Sequence, residues 1–161
     1  MTPHTDRAYP FSPAVARYRH QLFEQGYGKS AADALTLQQH VNVGVFASRA
    51  DSPLWRPWAE AYQEGITKSA GAMFSEQVAL NYACYRNRLK VELLPAVYNW
   101  QCHLAVPSWD PASQLFCEPF LPHAPISMVH LTHTSKTRTY EIDCLDRRSR
   151  RMSLRRPQAD A

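Results

Sequence analysis

The chain has 161 residues, 45% of them hydrophobic and 20% charged. That is enough for a globular unit with a sizeable core, and it excludes fibrous and disordered classes. No apolar run reaches the roughly 18 residues of a membrane-spanning helix, and MTPHTDRAYPF lacks the apolar centre of a signal peptide, so a cytoplasmic protein is expected. The net charge of +4 is concentrated in RRSRRMSLRR, where Arg147, Arg148, Arg150, Arg151, Arg155 and Arg156 fall within ten residues; without these six the balance is 4 − 6 = −2. Nucleic acid is therefore not an expected partner of the body, and the arginine segment carries no aromatic residue for base stacking. Cys84, Cys102, Cys117 and Cys144 are widely spaced with no CxxC pair, which predicts free, buried thiols and a reducing compartment.

Helix signals come first in chain order. SPAVARYRHQLFEQGYG offers Ser12 as a cap and Pro13 at the first helical position. Val15, Tyr18 and Leu22 share one face, and Gly26 or Gly28 supplies the stop. HVNVGVFAS alternates Val41, Val43 and Val45 against Asn42, Gly44 and Phe46, predicting a strand over 41–47. DSPLWRPWAEAYQEG predicts a second helix from Asp51 or Ser52, with Leu54, Trp58 and Tyr62 four apart and Gly65 as the stop. Pro57 lies in its first turn, where a missing N–H costs little. SEQVALNYACYRNRL predicts a third helix capped by Ser75. KVELLP reads as a short strand broken by Pro95, a proline-rich loop covers 107–125, and ISMVHLTHTSK reads as a strand ending in His130, His133 and Lys136.

This alternation predicts an α/β fold with a mainly parallel sheet and flanking helices. Ligands in such sheets gather beyond the carboxyl ends of the strands, where His130 and Lys136 would stand. A neutral imidazole suits a divalent cation, and a lysine six residues on suits a phosphate. The same residues also fit a satisfied core histidine and a surface lysine. Glu141 and Asp143 read as a solvent-facing strand edge.

Four patterns in order, VNVGVFA at 41–47, SEQVALN at 75–81, LLPAVYNW at 93–100 and HLTHTSK at 130–136, resemble the C-terminal half of nucleotide-sugar glycosyltransferases of the GT-A fold, and glycosyltransferase family 8 in particular. The likeness spans roughly residues 38–137. It implies a metal-dependent hexosyl transfer from a nucleotide-diphospho-sugar to a saccharide or other hydroxyl acceptor. Asn42 and Gly44 would line the donor-sugar pocket. Glu76 would hold sugar hydroxyls, and Gln77 would lie near the anomeric carbon as the catalytic pair's second member. Asn99 would sit on the acceptor side, His130 would ligate Mn2+ or Mg2+, and Lys136 would stabilise charge on the departing diphosphate.

The sequence departs from that pattern at His133, where the family has glycine, and at Thr137 and Arg138. It also holds no D-x-D ahead of Asn42, a motif whose two carboxylates would hold the cation. The expectation is an incomplete enzyme lacking the D-x-D half, with an N-terminal helical segment over 1–37, a GT-A-like subdomain over 38–145 and a basic, disordered tail over 146–161. An unpaired edge near Val41, Val43 and Val45 is then expected to loosen that strand and drive homodimerisation through exposed sheet surface. Two other readings stay open: a sugar- or protein-binding module using Trp55, Trp58, Trp100 and Trp109, and a metal protein using His103, His123, His130 and His133.

Overall fold

The computed structural model describes residues 2–3, 12–69 and 75–154. They divide into two compact units, residues 2–3 with 12–94 and residues 95–154, each with its own core. The expected boundary at residues 37 and 38 falls inside the first unit.

The first unit opens with β1 (Thr2–Pro3), then α1 (Pro13–Tyr27), whose Ser12 hydroxyl accepts the Val15 N–H at 3.4 Å. Gly28 ends α1 with φ of +87°, as the stop signal predicts, and α2 (Lys29–Leu35) follows. The buried face of α1 is Arg19, Leu22, Phe23, Gly26 and Tyr27, one step round from the predicted face; Tyr18 is left 59% exposed. The Tyr27 hydroxyl donates to the Ala61 carbonyl at 2.9 Å and its ring stacks on Tyr82 at 3.6 Å. Next come β2 (Val41–Asn42), α3 (Trp55–Lys68) and α4 (Glu76–Arg86). Gly65 keeps a helical backbone inside α3 rather than stopping it, and the helix ends at Ser69. Ser75 caps α4 as predicted, its hydroxyl accepting the Gln77 N–H at 3.2 Å.

The strand predicted over 41–47 is cut to two residues, and α4 is the reason. Asn81, fully buried, accepts the Val41 N–H at 2.8 Å and donates to the Val41 carbonyl at 2.9 Å, so one side-chain amide takes the place of a neighbouring strand. One turn earlier, Gln77 Oε1 accepts the Val43 N–H at 3.2 Å. Asn42 Oδ1 then accepts the Gly44 N–H at 2.7 Å, an Asx turn that bends the chain away. On its other side β2 pairs antiparallel with β1. The segment 90–94 is not a strand either, although Val91 and Leu93 pack inward on Val41, Leu54, Leu80 and Cys84. It leaves α4 through a Schellman ending, with Leu89 N–H to Cys84 O at 2.9 Å and Arg88 N–H to Tyr85 O at 3.3 Å. Arg88 stands at φ +50° where glycine is usual.

The second unit starts with a 3₁₀ turn at Ala96–Tyr98 and β3 (Trp100–Gln101). Within the predicted loop 107–125 lies a hairpin, β4 (Ser108–Asp110) with β5 (Leu115–Cys117). Asp110 closes it, its carboxylate accepting from the Ala112 N–H at 2.9 Å and the Ser113 hydroxyl at 2.7 Å. Strand β6 (Val129–His130) runs parallel to β3, a 3₁₀ turn covers His133–Lys136, and β7 (Thr139–Asp143) pairs antiparallel with β8 (Ser149–Ser153). The core gathers Trp100, Cys102, Ile126, Tyr140, Ile142 and Leu154.

The fold is thus mixed α/β, but the mainly parallel sheet is corrected. Among the described residues there are four two-stranded pairings, and only β3 with β6 is parallel. Period-two alternation reports which side chains face inward; it does not report which group takes the backbone hydrogen bonds. Over residues 146–154 the expected disordered tail is corrected as well, since Ser149–Ser153 is a strand whose register sets Met152 opposite Tyr140. Residues 155–161, with Arg155 and Arg156, lie outside the described residues.

Candidate functional site

The residues singled out in the sequence fall into two groups, one in each unit. In the first, Asn42 is buried, with its carbonyl oxygen engaged by the exposed Gly44. Glu76 is exposed at the start of α4. Because Gln77 Oε1 holds Val43, the group Gln77 can offer a ligand is its NH2 donor edge. Trp58 Nε1 donates to the Glu76 carbonyl at 2.9 Å, fixing the start of α4 to an aromatic cluster in which Phe46 lies 5.7 Å from Trp58 and Trp55 stacks on Trp58 at 6.0 Å. Asn81 escaped notice in the sequence; its spacing of four from Gln77 on the same helix face was the available signal.

In the second unit the parallel pairing of β3 and β6 sets Gln101 opposite His130 and brings Asn99 beside it. Asn99 Oδ1 lies 2.8 Å from His130 Nδ1. A carbonyl oxygen only accepts, so Nδ1 carries the proton and Nε2 keeps its lone pair. Burial and then the nearby Lys136 ammonium push the His130 pKa below its ordinary value, which keeps the ring neutral at pH 7. Lys136 itself is exposed on the 3₁₀ turn. Two residues beyond His130, the Thr132 hydroxyl and His103 Nδ1 are hydrogen-bonded at 3.3 Å. His133 follows in the turn, with its side chain outside the described residues.

A neutral imidazole with its other nitrogen tied to a carbonyl is the form in which histidine ligates metals. It supplies one donor, whereas Mg2+ takes about six. Among the described residues no group of three or more His, Cys, Asp or Glu could hold a metal ion. His130 by itself therefore makes no metal site with the other described residues. Among the described residues His103, His123 and His130 form no such group, and His123 Nδ1 is engaged with the Glu118 carbonyl at 3.0 Å.

The cysteines and Trp100 are structural. All four cysteines are free and buried, and burial raises Cys84 to about 11 and Cys102 to about 12, so these thiols stay protonated. Trp100 is fully buried with its indole N–H on the Ala105 carbonyl, which removes it from any ligand surface. Among the described residues no helix is long and apolar enough to cross a membrane. No family model matches the chain, and neither a curated protein nor a solved structure matches it.

Proposed function

We propose that the chain carries donor-handling machinery of a metal-dependent nucleotide-sugar glycosyltransferase of the GT-A type, acting with a D-x-D-bearing half that this sequence does not contain. The observation that carries the reading is the Asn99–His130 hydrogen bond. It pre-sets an imidazole that is neutral at pH 7, with Nε2 available to a cation. In this reading His130 Nε2 would hold Mn2+ or Mg2+, which when bound would supply neutralisation of diphosphate charge. Lys136 meets the charge that develops on the departing diphosphate. In the first unit, Asn42 and Gly44 shape the turn that holds Val43 against Gln77.

Calorimetric titration of the full chain with UDP or GDP tests it. Binding is expected only with Mn2+ present, and His130→Ala should weaken it at least tenfold with an unchanged far-ultraviolet spectrum. Binding indifferent to both Mn2+ and His130 contradicts the reading.

A second reading, a saccharide- or protein-binding module without catalysis, is favoured by the Phe46, Trp55 and Trp58 cluster, in which Trp55 remains 37% exposed. It requires no nucleotide and no metal.

A further inference from the structure

The first unit contains a cleft of about 510 Å³ formed by residues 47–54 and 88–94. None of the residues assigned to donor handling lines it. That volume suits a small ligand. Leu54 and Val91 give it apolar lining, and Ser48 and Ser52 add hydroxyls. The Ser52 oxygen accepts the Leu54 N–H at 3.2 Å, which leaves its own hydrogen to donate.

Two cations without an ion pair meet at the cleft, whereas Arg17, the other exposed arginine of this unit without one among the described residues, stands apart on α1. Elsewhere in this unit Lys29, Arg49, Arg56, Lys68 and Arg86 each meet a carboxylate within 3.0 Å. Arg88 and Lys90, which both line the cleft, have no carboxylate partner among the described residues. Glu92 lines the cleft too. Arg88 also occupies the left-handed position of the Schellman ending, a conformation that favours glycine. The Schellman ending thereby sets the Arg88 side chain at the cleft.

We propose that this cleft binds a small organic anion, a phosphate or carboxylate that engages Arg88 and Lys90 while its apolar body covers Leu54 and Val91. The site is independent of the glycosyltransferase reading. A guanidinium offers a bidentate fork to either anion, and the ammonium adds a second charge.

Calorimetry on the full chain tests it with phenyl phosphate and benzoate as the two anionic probes and phenol and inorganic phosphate as the half-probes. At least one anionic probe should bind ten or more times tighter than phenol or inorganic phosphate. A tenfold preference between phenyl phosphate and benzoate identifies the anion. Arg88→Gly relieves the strained backbone and should fold at least as well as the wild type, yet together with Lys90→Ala it should weaken the probe tenfold or more. His130→Ala should leave that binding unchanged, so failure of the nucleotide site and failure of this one are separable. The proposal is overturned if neither probe binds tighter than its half-probes, or if the Arg88→Gly, Lys90→Ala variant binds equally well.

Discussion

Asn81 is the residue on which the first unit turns. Its amide meets both backbone groups of Val41 and donates also to the Gln77 carbonyl at 2.7 Å. Asn81→Ala would strand two buried backbone groups, each costing about 1–3 kcal/mol. A loss of about 3 kcal/mol is expected in urea unfolding, and a loss below about 1 kcal/mol would show that water replaces the amide. His130 sets a pH dependence of definite sign. Its folded pKa is lowered, so the unfolded chain, with an ordinary value of about 6.5, binds the proton first as pH falls. The His130 contribution is fully present above about pH 6.5 and is lost as pH falls through the folded pKa. Wild-type stability should therefore fall more steeply below pH 6.5 than that of His130→Gln; parallel curves would show that His130 titrates normally. Both Asn99 and His130 stood out singly in the sequence. Thirty-one positions separate them, and no local pattern announces their bond.

Elements defined by local chemistry were readable in advance: Ser12 with Pro13, Ser75 and Gly28 satisfy or end helix backbone within a few residues of themselves. Strands were not, because their partners are remote or, at Val41 and Val43, are side chains of a helix. The hairpin of β7 and β8 was hidden by composition, six arginines outweighing the inward alternation of Tyr140 and Ile142. Its turn places Arg147 at φ +67°, with Arg147 N–H to Cys144 O at 2.9 Å and Cys144 N–H to Arg148 O at 2.7 Å. Truncation after Leu145 removes the partner of β7 and takes buried Leu154, with Met152, out of the core around Ile142. A loss of more than about 2 kcal/mol is expected, since fully burying such a side chain is worth about 1.5–3 kcal/mol. Thermal unfolding unchanged by that truncation would return the segment to a solvated tail.

Across the whole molecule, glycine is scarce: five in 161 residues. Arg88, Gln114, His123 and Arg147 take left-handed backbone that glycine adopts without cost. Arg147→Gly in the hairpin turn should raise stability by about 1 kcal/mol; a fall would mean that the arginine side chain is docked. Each unit has its own core, and the expected loosening around Val41 and Val43 has a direct counter-indication in their amides, held by Asn81 and Gln77. Hydrogen exchange at those two amides should be slowed and should accelerate in Asn81→Ala. Equal exchange in both proteins would remove the amide clamp.

The central claim is the state of one imidazole, and long-range nitrogen-15 correlation of the His130 ring reads it directly. Two findings are expected: Nδ1 protonated with Nε2 bare at pH 7, and selective loss of the ring signals when Mn2+ is added together with UDP. A ring protonated on Nε2, or one whose signals persist with both present, contradicts the account.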